Sequence, residues 1–192
     1  MHVTIRLKLA FFIAVAVAAF TSSVHGAPIQ FEVPGTVQPL QQVGNTCWAT
    51  TAAILLSWKK NASLPVATVA AQAGPDYAAL YAAGDGLPTK RKAEFLQKLG
   101  FSYLPPMCYQ PEGLLALLKE KGALWITVDS GAAAFTHAVI VTGMAGDGTA
   151  ANTRVHYVDP AFGTTRAMAF NAFEHEFESA AGKADIQVVT AN

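Results

Sequence analysis

The chain of 192 residues has few charged residues and few cysteines. Charged residues make up 14% of the sequence and hydrophobic residues 52%, and a composition this apolar excludes an intrinsically disordered chain. Two cysteines are too few for a disulfide-based scaffold, and a domain of this length does not need one. The longest basic cluster is Lys90-Arg91-Lys92, which we interpret as the solvated face of a helix. The charge pattern therefore excludes a nucleic-acid-binding surface.

The sequence also lacks a long apolar run of the kind that crosses a membrane. Residues 9–20 form an uninterrupted apolar run of twelve residues, whereas a transmembrane helix needs about 20. Arg6 and Lys8 precede the run, and polar and small residues follow it. This order is typical of a secretory signal peptide, with an uncleaved anchor as the alternative. We therefore predict that residues 1–26 are removed, and that one domain, residues 27–192, is exported to the periplasm or secreted without a membrane anchor.

Motifs for metal, phosphate and serine-based chemistry are absent. The sequence has no His-Glu-x-x-His, no paired Cys-x-x-Cys, no phosphate-binding glycine-rich loop and no Gly-x-Ser-x-Gly. A metal at His156 and Asp159 would have no third ligand that the sequence identifies. We predict that the chain uses no metal and no cofactor.

The sequence does contain one stretch that indicates catalysis, a turn followed by a cysteine at the start of a predicted helix. The turn of residues 44–46 leads into Cys47, and Asn45 or Thr46 is expected to cap the helix. The positive end of a helix dipole favours the thiolate, which is the nucleophilic form of cysteine. Gln41 is close enough in sequence to offer its side-chain amide to an oxyanion hole beside the sulfur. The alternative is a buried structural cysteine on an apolar helix.

This stretch resembles the nucleophile motif of papain-like cysteine peptidases. The resemblance rests on Gln41, five intervening residues and then Cys47-Trp48-Ala49, and the longer run 37–58 is similar to the compact bacterial branch. That branch includes plant-pathogen effector proteases and the peptidase domains that process bacteriocin leaders. The resemblance implies that Cys47 is the nucleophile and Gln41 the oxyanion donor. It also implies a histidine on a downstream strand, followed by an aspartate or asparagine.

Helical patterns fill the first half of the chain and strand patterns dominate the second. This segregation favours an α+β fold, in which helices pack beside a largely antiparallel sheet and leave a crevice between the halves. The resemblance implies the same papain-like layout. The lead-in of residues 27–40, rich in proline, is expected to be extended. Helices are predicted at 47–60, 64–73, 76–83, 88–99, 111–121 and 171–179, and strands at 101–104, 123–128, 135–142, 154–158, 165–170 and 186–190.

The second half contains a histidine and an aspartate that complete the resemblance. His137 opens a predicted strand beside a loop of small residues, where a side chain can reach a cleft from a rigid support. Asp159 stands at the end of the next strand, followed by proline, and Asp129 is the alternative acidic partner. The peptidase branch implies that His137 exchanges protons with Cys47 and that Asp159 orients the imidazole. The connection 144–153 is longer than a tight hairpin needs.

These residues predict an exported cysteine peptidase that hydrolyses peptide or isopeptide bonds in peptide or protein substrates. One alternative is a peptidoglycan amidase that uses the same Cys47–His137 dyad, and another is a catalytically inactive binding module on the same fold. A Cys47–Cys108 disulfide is a further alternative, because exported compartments are oxidising. The sequence does not identify an inhibitor or immunity protein, nor the oligomeric state.

Overall fold

The computed structural model describes residues 27–131 and 135–192 of the chain. The predicted signal peptide, residues 1–26, lies outside the described residues. The described part contains six α-helices and seven strands, and none of its helices is both long and apolar enough to cross a bilayer.

Five of the six described α-helices precede the main part of the sheet, as predicted. The helices are α1 (Cys47–Lys60), α2 (Val66–Ala73), α3 (Pro75–Ala82), α4 (Lys92–Lys98), α5 (Pro111–Lys121) and α6 (Phe170–Ala180). Helix α1 ends at Lys60, and Asn61 follows in the left-handed conformation, with φ 48°. A 3-10 turn, Thr89–Arg91, precedes α4 and forms the start of the helix predicted at 88–99.

The strands form one sheet in which every described pairing is antiparallel. The strands are β1 (Ile29–Glu32), β2 (Phe101–Tyr103), β3 (Leu124–Asp129), β4 (Thr136–Gly146), β5 (Arg154–Asp159), β6 (Thr164–Ala169) and β7 (Val188–Ala191). Their order in the sheet is β2-β7-β3-β4-β5-β6, and β1 pairs with the C-terminal end of β4. The α+β prediction is therefore confirmed.

Two parts of the sheet differ from the prediction. The lead-in of residues 27–40 contains β1, because Ile29 to Glu32 pair with Gly146 to Gly143 across the sheet. Strand β4 also continues to Gly146, so the first three residues of the connection predicted at 144–153 belong to the strand. The proline-rich sequence hid β1, since only a long-range partner makes this short segment a strand.

Helix α1 lies at the centre of the molecule, where ten consecutive residues, 48–57, are buried. A helix that is buried on all sides needs small side chains where its backbone meets its neighbours, and Ala49, Ala52 and Ala53 are fully buried. One turn after Cys47, the Thr51 hydroxyl donates a hydrogen bond to the Ala138 carbonyl at 3.2 Å. This bond joins the start of α1 directly to the start of β4.

Helix α4 buries a lysine that the sequence suggested would be solvated. Lys92 is only 9% exposed, so interpreting the whole basic cluster 90–92 as a solvated face is wrong. Ala93, the next residue along the helix, is exposed. Lys92 instead shares the buried face with Phe95, Leu96 and Leu99, at the i, i+3, i+4 and i+7 spacing of an amphipathic helix.

Candidate active site

Cys47 is the first residue of α1 and is half-buried, so its thiol lies between the core and solvent. Two backbone hydrogen bonds hold the preceding turn. Gln42 N donates to Pro160 O at 2.9 Å, and Asn45 N donates to Gly84 O at 2.8 Å. Gly44 has φ +60°, and a Cβ there would lie 2.6 Å from Gly84 O. The turn therefore requires glycine at this position. Its two hydrogen bonds to distant loops fix the position of Cys47.

The prediction that Asn45 or Thr46 caps the helix with its side chain is wrong. Thr46 is the N-cap residue, but its side chain makes no capping hydrogen bond. Its hydroxyl donates instead to Val43 O at 2.8 Å and so closes the turn that precedes the helix. The first backbone N–H groups of α1 are thus left without a side-chain cap beside the Cys47 sulfur.

His137 lies near the start of β4 and forms a hydrogen bond between its Nε2 and Asp159 Oδ1 at 2.7 Å. The sheet register explains this contact. Ile140 pairs with Val158, so continuing the ladder by one residue sets Asp159 beside Val139, two residues from His137 on the same face of the sheet. Both side chains are largely buried, at 18% and 8% exposed.

Asp159 has two further partners, which hold its carboxylate in place. Ala161 N donates to Oδ1 at 3.0 Å, and Arg166 Nη1 donates to Oδ2 at 3.3 Å. Asp129, the alternative partner, accepts a hydrogen bond from Lys183 Nζ at 2.7 Å instead. The structure therefore places Asp159, and not Asp129, against the imidazole.

The electrostatics of this group favour a protonated imidazole. Burial lowers the pKa of His137, but hydrogen bonds to Asp159 and to Cys47 outweigh burial and raise that pKa to about 9. Burial alone would raise the pKa of Asp159, whereas the His137 hydrogen bond and charge bring it below its usual value. Because Asp159 occupies Nε2, Nδ1 is the nitrogen that remains for Cys47. The imidazole thus lies between a carboxylate and a thiol.

The two neighbouring glutamines have different surroundings. Gln41 is exposed, and its backbone and Cβ pack against Gly163 in the turn after Asp159. Gln42 lines the cavity beside Cys47 and donates from Nε2 to Gly44 O at 2.8 Å. Gln41 therefore lies next to the loop that carries Asp159, and its role as oxyanion donor stays a prediction.

A family model described as papain-like cysteine protease AvrRpt2 matches residues 27–178. The match covers most of the 192 residues. The chain belongs to this family of papain-like cysteine proteases. It is therefore a cysteine peptidase, a hydrolase, and its substrates are peptides or proteins. A search of curated proteins returned no match.

Family membership confirms two predictions made from the sequence. One is the resemblance to the papain-like branch that contains plant-pathogen effector proteases. The other is the papain-like architecture, because the helical first half packs beside an antiparallel sheet of seven described strands. In this papain-like protease both cysteines are free, and Cys108 is exposed. The alternative of a Cys47–Cys108 disulfide is therefore wrong.

A cavity of about 390 Å³ opens beside the Cys47 and His137 side chains of this papain-like protease. Its walls include aromatic and aliphatic side chains, and Phe135 at its edge is 65% exposed. Lys92 and Trp125 also line it, and sequence reasoning identified neither as part of the site. The helical spacing of Lys92 with Phe95 could have revealed Lys92. The apolar wall is formed by Trp48, Leu87, Phe135, Ala138 and Ala184.

The other two histidines among the described residues do not line this cavity. His156 is paired through Nδ1 with the Glu32 carboxylate, and His175 is exposed on α6. No group of three or more histidine, cysteine, aspartate or glutamate side chains that could hold a metal occurs in the part of the chain that the structure describes.

Proposed function

We propose that this chain is an exported cysteine peptidase that hydrolyses peptide or isopeptide bonds with Cys47, His137 and Asp159. The observation that carries the proposal is the hydrogen bond of 2.7 Å between His137 and Asp159, with Cys47 and His137 lining the same cavity. A nucleophile, a base within reach of it, and a third group that orients the base are what nucleophilic catalysis requires.

In the acylation step the Cys47 thiolate attacks the substrate carbonyl carbon, and a C–S bond forms. The carbonyl electron pair moves to oxygen and gives a tetrahedral oxyanion. When that intermediate collapses, the C–N bond breaks and the imidazolium of His137 gives its proton to the leaving amine. A raised His137 pKa suits this step, because the proton is held on the imidazole until the amine needs it.

In the deacylation step a water molecule attacks the thioester carbonyl while His137 takes one of its protons. The C–S bond breaks, the carboxylic acid leaves, and the thiolate and imidazolium are restored. Asp159 keeps Nε2 hydrogen-bonded throughout, so Nδ1 stays directed at the reacting atoms. We assign the oxyanion to the backbone N–H groups at the start of α1 and to the Gln41 amide.

The same proposal includes export. Residues 1–26 have the order of a signal peptide, and the family match begins at residue 27, immediately after the predicted cleavage. We therefore assign the peptidase to the periplasm or to the medium.

Alkylation of the purified mature protein tests the nucleophile. We expect iodoacetamide to label Cys47 at least about tenfold faster than free cysteine at pH 6.5, because only an activated thiol forms the thiolate there. Cys108 serves as the internal control, since it is exposed and its pKa is raised by hydrogen bonding to Glu178. A Cys47 that reacts no faster than free cysteine contradicts the proposal.

Turnover of unfolded protein substrates tests the remaining roles. We expect Cys47→Ala to abolish hydrolysis and Gln41→Ala to lower kcat by about 10². Gln42→Ala is the matched control, and a larger loss of kcat for Gln42→Ala than for Gln41→Ala would assign the oxyanion role to Gln42.

Hydrolysis of purified peptidoglycan sacculi but not of proteins would favour the amidase alternative. Full biological effect in Cys47→Ala would favour the inactive binding module.

A further inference from the structure

Lys92 is a buried cation whose charge has no acidic partner. Its Nζ donates to Thr127 Oγ1 at 2.6 Å and to the Ile186 carbonyl at 2.7 Å, and both acceptors are neutral. Across residues 27–131 and 135–192, no carboxylate lies within ion-pair distance of this ammonium. Burying a charge without a carboxylate partner destabilises the folded protein, so a purely structural role would favour an apolar side chain at this position.

The ammonium retains a donor that the described residues do not satisfy. A lysine ammonium has three N–H groups, and two of them bind Thr127 and Ile186. Lys92 lines the same cavity as Cys47. A ligand in that cavity would therefore find one free N–H and a positive charge in its wall.

Trp125 adds a second unused donor to the same wall. Its ring is 1% exposed, and its indole Nε1–H is buried without a hydrogen-bond partner among the described residues. Trp125 lines the cavity as well, and Lys92 Nζ lies 5.2 Å from the ring centroid. Buried donors are normally paired, and two that remain unpaired in one cavity indicate an acceptor that arrives with the ligand.

The other charged groups at the cavity are already balanced. Lys183 is held by Asp129 at 2.7 Å, and His137 is held by Asp159 at the same distance. Lys92 is the cation at this cavity that has no carboxylate partner among the described residues; burial lowers its pKa, and the charge of Cys47 opposes that effect. The rest of the wall is apolar and would contact the aliphatic part of a side chain.

We propose that this cavity is the specificity pocket of the peptidase and that it takes the carboxylate of a substrate aspartate or glutamate side chain, bound by Lys92 and Trp125. The inference deepens the proposed function and rests on it, because the pocket is defined by its position beside Cys47. Lys92 would act here as a specificity residue that contacts the substrate.

Matched peptides test the pocket. Internally quenched peptides with amidated C-termini would carry glutamate, glutamine, aspartate or asparagine at each position within three residues of the scissile bond. We expect one position at which kcat/KM favours the acid over its amide by at least about tenfold, the effect of one buried charge pair. The absence of such a position overturns the inference.

Variants assign the preference to Lys92. Lys92→Met, which keeps the length of the side chain, should bring the acid-to-amide ratio to within about twofold of unity. Lys90→Met is the control, because Lys90 is exposed two residues away and does not line this cavity. An equal loss on acidic and amide peptides in Lys92→Met would overturn the inference, since it would mean that Lys92 acts on the Cys47 charge.

The dependence of the preference on pH tests the pocket without a variant. Burial lowers the pKa of Lys92 to about 8, while the charge of Cys47 opposes that effect. We expect the acid-to-amide ratio of the wild-type enzyme to fall as pH rises through about 8. Titration of His137 changes the turnover of both peptides equally and cancels in the ratio, and Lys183 is paired with Asp129. A ratio that stays constant from pH 6 to 9 overturns the inference.

Binding separates failure of the pocket from failure of the proposed function. The Cys47→Ala variant should bind the preferred acidic peptide at least about tenfold more tightly than its amide partner in fluorescence anisotropy. This preference without any turnover by the wild-type enzyme would support the pocket and contradict the peptidase mechanism. Turnover without the preference in kcat/KM or binding would overturn the pocket alone.

Discussion

The hydrogen bonds and the pKa of His137 determine most of the proposed chemistry. Its Nε2 is bound to Asp159, its other nitrogen remains for Cys47, and its pKa is raised to about 9. The raised pKa means that the folded protein stabilises the imidazolium. That stabilisation is complete below the ordinary histidine pKa of about 6.5 and is lost as pH rises through about 9.

Replacing Asp159 should therefore move the basic limb of the pH profile. Asp159→Asn removes the charge that favours imidazolium, so we expect kcat/KM to begin falling at a lower pH than in wild type and to drop by about 10² at neutral pH. Steady-state kinetics from pH 5 to 10 measure both effects. Glu176 also acts on His137 through its charge, and burial raises the pKa of Glu176. Glu176 is present in both the wild type and Asp159→Asn.

Asp129→Asn is the matched control for this prediction. Asp129 is paired with Lys183, so its replacement should leave the basic limb in place. A shift with Asp129→Asn but not with Asp159→Asn would mean that the wrong carboxylate has been assigned to the imidazole.

Among the secondary-structure elements, short contacts between loops align the two halves of the site. The nucleophile turn is bonded to Pro160 through Gln42, and α1 is bonded to the start of β4 through Thr51. Gly163, in the turn between β5 and β6, packs directly against Gln41. The segment before Cys47 thus lies against the turn after Asp159, and its position depends on a residue without a side chain.

Gly163→Ala should disturb this alignment. Gly163 has φ +63°, and a Cβ there would lie 2.8 Å from Gln41 Cβ. We expect a loss of about 1–3 kcal/mol in the free energy of unfolding from backbone strain, together with a fall in kcat of about tenfold or more as Gln41 is displaced. Thermal unfolding and turnover measure the two effects separately.

Gly100→Ala is the control that separates the effect of backbone strain from the effect of displacing Gln41. Gly100 has φ +74°, but a Cβ there would meet nothing within 4 Å. This variant should lose similar stability and retain kcat. Equal losses of kcat in both variants would show that strain alone, and not contact with Gln41, explains the effect.

For the molecule as a whole, the predicted signal peptide, residues 1–26, ends before the first described strand begins at Ile29. Ile29 is buried and opens β1, which pairs with β4. Cleavage after Gly26 would leave two residues before β1, so the mature domain would retain every described element.

Export should therefore produce a mature chain that begins at Ala27. We expect the full sequence, expressed in a bacterium with a periplasm, to give a periplasmic or secreted protein with the N-terminal sequence Ala27-Pro28-Ile29. N-terminal sequencing and intact mass measure this. Val15→Arg, which interrupts the apolar run 9–20, should block export. An exported protein that keeps residues 1–26 would favour the uncleaved anchor.

The sequence by itself determined the features that depend on neighbouring residues. Periodicity and turn residues predicted α1 with Cys47 at its start, the strand that His137 opens, and the division into a helical and a sheet half. These follow from local backbone preferences, which act over a few residues and can be recognised in order along the chain.

Only the tertiary structure decided features that depend on distant partners. Strand β1 exists because β4 offers it a free edge, and Asp159 rather than Asp129 meets His137 because of the β4–β5 register and the contact of Asp129 with Lys183. Lys92 stands in a basic cluster, yet it is buried because its helix turns it toward Thr127 and Trp125. Such contacts join residues far apart in sequence, and local preferences contain no information about them.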